Sequence, residues 1–408
     1  MRRNSMKGKF LFSRRTNWPL NANGLSHALS SLREKNIPVI DLTESNPTRC
    51  GFPYPTEKIL SSLADPQNMF YTPSASGSPE ARDALSRYYR RKGFEVKPQR
   101  ILLTASTSEA YSTLLRLLLN PGEHVLVGQP SYPLFEFLIE LNDARMKNYP
   151  LIYKKDQKEW RIDLKALEKA LCSQTRVIVL VNPNNPTGSF VNQGELAAIN
   201  QLCLKHHLAL ICDEVFSDYA FQASPQRVLS LVSNPDTLTF SLGGISKCLG
   251  LPQMKLGWIV ASGPKELVDE ALARLEVIAD TYLSVNTPVQ NALSPWLAWQ
   301  EDISKEIRNR LKQNLASLEK AVRAFGSEDL HDLNCEGGWY VVLKLPSGKY
   351  SEEKWAMEFL QKDHVFVHPG YFFDFQEEPF IVLSLLPKEE TFKLGLERIL
   401  RRIRSVQL

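Results

Sequence analysis

The stretch "TRVIVLVNPNNPTG", at positions 175–188, pairs a short apolar run with a turn built from asparagine, proline and glycine. A run of that length bounded by turn residues is too short for a buried helix and reads as a strand covered on both faces. The pattern recurs. "RILLTAS" (100–106), "EHVLVGQP" (123–130), "LALICDEVF" (208–216) and "TLTFSLGG" (237–244) are further short apolar runs, each followed by turn residues. Between them "SEAYSTLLRLLLNPG" (108–122) has helical periodicity and a Pro-Gly stop, as "ARDALSRYYRRKG" (81–93) has before them. Strands alternating with helices from about position 79 to 260 predict an α/β unit around a mostly parallel, doubly covered sheet.

The C-terminal part reads differently. "GGWYVVLKLP" (337–346), "HVFVHPG" (364–370) and "FIVLSLLP" (380–387) are strands, and "SEEKWAMEFLQKD" (351–363) and "KEETFKLGLERILRRI" (388–403) are helices, a pattern expected of a smaller α+β domain. A long amphipathic stretch near 300–325 links the two parts. The expected division gives a large domain over 52–295 and a small one formed from 1–51 and 296–408.

Composition sets outer bounds. The chain has 408 residues, 43% hydrophobic and 23% charged, with a net charge of +4. That is a globular composition, and the basic residues are scattered rather than gathered in a stripe, which argues against nucleic-acid or membrane partners and for small molecules. No apolar run approaches the roughly 20 residues of a membrane span. Six cysteines (Cys50, Cys172, Cys203, Cys212, Cys248, Cys335) show neither CxxC pairs nor metal-ligand spacing, so no metal is expected and a reducing cytoplasm fits. Positions 1–15 are basic and free of acids, and are expected to form a solvated arm.

In an open parallel sheet, ligands bind beyond the carboxyl ends of the strands. Ser106, Thr107 and Ser108 open a helix after "ILLTA", "NPNNPTG" follows "VIVLV", Asp213 follows "LALIC", and Ser246 and Lys247 follow "TLTFSLGGI". One anion seat, one amide, one carboxylate and one lysine thus fall on a single edge. Singly these are an N-cap, a proline-rich turn, a strand end and a loop lysine; their order is what carries information.

In that order, "NPNNPTG", "DEVF" and the "SK", "LGLP" and "LGW" segments of 246–258 resemble the aminotransferase class I and II family, the fold-type I pyridoxal phosphate (PLP) enzymes, over about residues 41–400. The resemblance implies a fold-type I PLP-dependent transferase with a seven-stranded-type sheet in its large domain. It implies that Lys247 forms a Schiff base with the cofactor and moves protons, that Asp213 pairs with the pyridine nitrogen, and that Asn185 bonds the ring hydroxyl oxygen. Tyr132 would stack on the ring, while Ser106, Thr107, Ser108, Ser246 and Lys255 would hold the phosphate. Tyr71 matches a tyrosine that reaches the neighbouring subunit's phosphate, so a homodimer with shared sites is implied. Ser45 and Arg49, in "ESNPTRCGF", lie where relatives approach substrate.

Four positions depart from the family's usual pattern. Phe216 replaces a tyrosine and cannot donate to the ring oxygen; Gly244 replaces a serine; Lys255 replaces an arginine, offering a point charge rather than a fork. Val382 stands where relatives clamp the substrate carboxylate with arginine. Either that carboxylate is held elsewhere, with Arg49 the leading candidate, or the substrate presents an apolar or uncharged group beside Val382. Three functions are therefore weighed: an aminotransferase acting on an amino donor and a 2-oxo acid, a PLP-dependent lyase or decarboxylase, and a non-catalytic PLP-binding protein.

Overall fold

A computed structural model describes residues 12–21, 23–283, 285–377 and 379–407. Its first strand, β1 (Ile40–Asp41), belongs to the C-terminal part of the fold. The eight strands β2 (Ile101–Thr104), β3 (His124–Gln129), β4 (Arg145–Lys154), β5 (Glu159–Ile162), β6 (Thr175–Val181), β7 (Ala209–Asp213), β8 (Thr239–Gly244) and β9 (Gly257–Ser262) form one sheet in the order β2-β9-β8-β7-β6-β3-β4-β5. The smaller part contributes β10 (His331–Leu333), β11 (Tyr340–Lys344), β12 (Val365–Phe366), β13 (His368–Pro369) and β14 (Phe380–Ser384).

All five apolar runs read as strands form this sheet, and the pairs β3–β4, β3–β6, β6–β7 and β7–β8 are parallel. The expected seven-stranded type is extended by an eighth strand, β5, which folds back antiparallel on β4. Alternation of side chains sends Val125, Val127, Val177, Val179, Ile211 and Phe240 to one face, against the Thr107–Leu118 and Lys265–Tyr282 helices. Leu126, Ile178, Leu180, Leu210 and Cys212 go to the other, against the Gln193–His206 helix. Each such apolar side chain contributes roughly 1.5–3 kcal/mol by leaving water, which makes the central strands the rigid part of the molecule.

β9 runs antiparallel between β2 and β8. Its first residue, Gly257, faces Thr104 and Gly244, and a Cβ there would lie 2.9 Å from the carbonyl carbon of Ser106 and 3.0 Å from the Thr107 nitrogen. Glycine is what lets β9 pass close to the helix N-terminus after β2, so the Ser106 and Lys247 turns stay adjacent.

The smaller sheet has the order β10-β11-β14-β13. Val341, Leu343, Ile381 and Leu383 pack with Leu318, Leu396 and Ile399 of the Gln300–Phe325 and Glu389–Gln407 helices. Val342, Phe380 and Val382 occupy the opposite face, against Trp160 of β5. β1 pairs with β12 in a separate two-stranded ribbon, and the Gly24–Glu34 helix packs on Glu352–Asp363, so the N-terminal segment joins the C-terminal part. "HVFVHPG", expected as one strand, is split: β12 pairs with β1 and β13 with β14. Of the basic arm, positions 1–11 lie outside the described residues, and Arg15 forms an ion pair with Asp143.

Candidate active site

Because β2, β3, β6, β7 and β8 run the same way, the residues following each meet at one edge. Asp213 ends β7, and the Asn182 N–H bonds its carbonyl at 2.8 Å. The Asp213 carboxylate accepts from the Tyr111 hydroxyl at 3.2 Å and from the Val215 N–H at 3.1 Å. Burial nonetheless pushes its pKa up to about 6, against the lowering effect of those two donors and of Lys247.

Lys247 lies in a one-turn helix, Ile245–Cys248, directly after β8. Its Nζ sits 4.6 Å from the ring centroid of Trp339 and 5.4 Å from that of Phe216. Burial pulls its pKa down to about 8, partly offset by the Asp213 charge. A lysine that loses its proton near neutrality is a usable nucleophile and proton carrier.

Ser106 caps the Thr107–Leu118 helix, its hydroxyl accepting from the Glu109 N–H at 3.1 Å. Thr107 and Ser108, the first helical residues, present N–H groups with no intrahelical acceptor, as an anion requires. The backbone at Gly244 stands against this seat: a Cβ there would meet Thr107 Cγ2 at an ordinary 3.6 Å, so a serine would fit. Ser246 is partly buried one residue before Lys247, and Lys255 adopts a left-handed conformation two residues before β9. Asn185 is 8% exposed and its Oδ1 has no partner among the described residues. A buried polar atom left unmatched costs free energy unless a ligand completes it. Tyr132 follows β3 and feels the Asp213 charge. The donor set fits a phosphorylated pyridine aldehyde: an anion seat, a carboxylate for a ring N–H, an unmatched amide and a lysine.

The substrate-side residues lie on a segment strapped to β14. Ser384 donates through its N–H to the Leu42 carbonyl at 2.7 Å and through its hydroxyl to the Glu44 carbonyl at 2.6 Å. Ser45 then reaches the Tyr340 hydroxyl, and the Tyr340 ring centroid is 6.4 Å from that of Phe216. Arg49 closes the turn Pro47–Arg49, is exposed, and has no ion pair or side-chain hydrogen bond with any described residue. Val382 is 1% exposed, packed with Trp160, Val342, Phe373 and Phe380, and offers no free surface for a substrate group to lie beside. Tyr71 is 75% exposed.

Three contributors escaped the sequence reading. Tyr111 stands one helical turn beyond Thr107, a spacing that places it on the inward face, and Trp339 and Tyr340 open a strand whose aromatic start was the available signal. Tyr219, three residues beyond Phe216, donates through its hydroxyl to the Lys247 carbonyl at 2.6 Å.

The cost of this site is measurable. A folded-state carboxyl pKa above the unfolded value means the folded form binds the extra proton, so stability falls as pH rises from about 4 to about 6, and the penalty is complete above that. Asp213→Asn is therefore expected to stabilise the cofactor-free protein by on the order of 1–3 kcal/mol at pH 7, with the gain shrinking toward pH 4. Denaturant melts at several pH values check this, and a gain that does not grow with pH refutes it.

The model of the family described as aminotransferase class I and II matches residues 17–399. The chain is similar to the glutamate-pyruvate aminotransferase AlaA of Escherichia coli, 26% identical over 380 residues and 91% of each chain. It is also similar to the alanine aminotransferase of Mycobacterium bovis, 24% identical over 88% of this chain and 84% of the relative. Among solved structures, an aminotransferase from Escherichia coli superposes with a TM-score of 0.84 at 24% identity, covering 97% of this chain and 98% of that one. The alanine aminotransferase of Pyrococcus furiosus gives 0.84 at 23% identity, covering 93% and 96%.

Proposed function

This chain belongs to the aminotransferase class I and II family and is a PLP-dependent aminotransferase of the fold-type I architecture, and on that premise we propose which of its residues do the work and what they accept. The observation that carries the assignment is the meeting of Asn185, Asp213 and Lys247 beyond the ends of the adjacent strands β6, β7 and β8. When bound, PLP supplies an aldehyde that links to amines and a protonated ring that accepts electron density.

The chain's own groups do the rest. Lys247 Nζ holds the cofactor between turnovers and then, as a neutral amine, carries the proton away from and back to the substrate α-carbon. Asp213, kept in place by Tyr111 and the Val215 N–H, holds the proton on the ring nitrogen by its negative charge. Asn185 donates through its Nδ2–H to the ring hydroxyl oxygen. Thr107, Ser108, Ser246 and Lys255 bind the phosphate, with Ser106 shaping the turn, and Tyr132 covers the ring.

The amino donor is an α-amino acid whose carboxylate is held by Arg49, and the acceptor is a 2-oxo acid. Arg49 is exposed and has no ion-pair partner among the described residues, its turn lies against Gly250 through Pro47, and the Gly250 N–H donates to the Lys247 carbonyl at 3.0 Å. The named relatives favour alanine or glutamate as donor with pyruvate or 2-oxoglutarate as acceptor. A mixed-donor assay tests this: amino transfer supports it, whereas release of ammonia or a decarboxylated amine overturns it.

A homodimer that shares its sites is supported by the exposed run Met69, Phe70 and Tyr71, at 86%, 65% and 75%, which is costly to leave in water. A reducing compartment such as the cytoplasm is supported by six unpaired cysteines. Among the described residues no helix is long and apolar enough to cross a membrane.

Phe216 provides a spectroscopic test. Tyrosine at 216 would donate to the ring oxygen and stabilise its deprotonated form, so the pH midpoint of the bound cofactor's absorbance is expected about one to two units lower in Phe216→Tyr than in the native protein. Equal midpoints would mean that another donor, such as the unmatched Trp339 indole N–H, already serves.

A further inference from the structure

The opposite edge of the large sheet carries a second reactive cluster. Cys172 is exposed in the loop between the Leu164–Ala170 helix and β6. Around its sulfur stand three side chains from the amino ends of neighbouring strands: His124 Nδ1 at 3.2 Å, Lys147 Nζ at 3.5 Å and Thr175 Oγ1 at 3.5 Å. His124 and Thr175 begin β3 and β6 and are paired across the sheet, while Lys147 is opposite Leu126 in β4. The loop is pinned, since the Cys172 N–H donates to Thr175 Oγ1 at 3.1 Å. A thiol beside an imidazole, an ammonium and a hydroxyl is the arrangement of an activated nucleophile.

We infer that Cys172 is a thiol–disulfide exchange site for low-mass disulfides. Its thiolate attacks one sulfur of R–S–S–R, a Cys172–S–S–R bond forms as the original S–S bond breaks, and the leaving thiolate departs with the electron pair. His124 and Lys147 stabilise the thiolate before attack, and the Lys147 ammonium favours an incoming disulfide that carries carboxylates. The Thr175 hydroxyl and the Gln174 backbone N–H, with His124 and Lys147, hold the thiol at about 6, below its ordinary value.

The other cysteines form an internal control. Cys50, Cys203, Cys212, Cys248 and Cys335 are buried, and burial pushes each thiol up. A low thiol pKa also lowers intrinsic nucleophilicity, so the advantage over an ordinary exposed cysteine is only a few-fold at pH 7, rising to about tenfold at pH 6. The pH profile, rather than the absolute rate, is diagnostic.

The experiment uses the full-length, PLP-loaded protein incubated with glutathione disulfide and analysed by intact mass and peptide mapping, with iodoacetamide alkylation rates measured across pH. One glutathionyl group on Cys172 is expected, with an alkylation midpoint near 6. Both His124→Asn and Lys147→Met raise that midpoint. Lys147 is only partly buried, so its variant tests the idea even if the His124 variant folds poorly. Cys172→Ser abolishes labelling and leaves transamination unchanged. An adduct on another cysteine, no adduct, or a midpoint in the ordinary range near 8.5 overturns the inference.

Discussion

Lys247→Ala loses turnover by at least about four orders of magnitude while its cofactor-free form melts no lower than the native protein. The two halves of this result have one cause. General acid–base transfer alone contributes roughly 10²–10⁴-fold, and the same amine also anchors the cofactor, so both contributions vanish together. The buried ammonium is itself a burden: its pKa is pulled down to about 8, so the folded state disfavours the charged form below its ordinary value. Stability due to this group rises with pH between about 8 and 10.5, and alanine removes the penalty below that window. Loss of activity with a retained or higher melting temperature separates chemistry from misfolding. Borohydride treatment of the native protein should place the pyridoxyl label on Lys247, and a label on Lys255 would refute the assignment.

The contrast between Lys247 and Val382 shows what a sequence discloses. The functional edge was legible because short apolar runs with turn punctuation fix both the sheet and the ends of its strands; that Asn185, Asp213 and Lys247 are the working residues there was implied by the family resemblance. β5 was not legible, because Glu159–Ile162 is only four residues long and reads as part of a polar hairpin. Tyr111, Trp339 and Tyr340 sit inside elements whose existence was readable, but which side chain meets Asp213 or Lys247 depends on packing between distant segments. For Val382 the identity was visible and its surroundings were not: Trp160 arrives from 222 positions upstream to seal it.

Arg49→Ala is expected to lower kcat/KM for α-amino acids by about 10²–10³-fold, the scale of a charge-assisted, two-pronged contact with a carboxylate. Uncharged amines lacking the carboxylate should lose almost nothing, because they never used the contact. That difference distinguishes binding of the carboxylate from general damage to the site. Restoring the family's usual arrangement is not the converse experiment. Val382→Arg would place a guanidinium among Trp160, Val342, Phe373 and Phe380, at a position 1% exposed, where an unpaired charge costs several kcal/mol. The sealed apolar cluster leaves no room for a carboxylate clamp on this strand, which is committed to packing β14 against β5, and this favours the proposal that Arg49 serves instead. Titrating the PLP-loaded protein with L-alanine, L-glutamate, L-aspartate and carboxylate-free amines, in native and Arg49→Ala forms, decides the matter. If Arg49→Ala converts the common amino acids as readily as the native protein does, the carboxylate is held by another group and Arg49 has been misplaced.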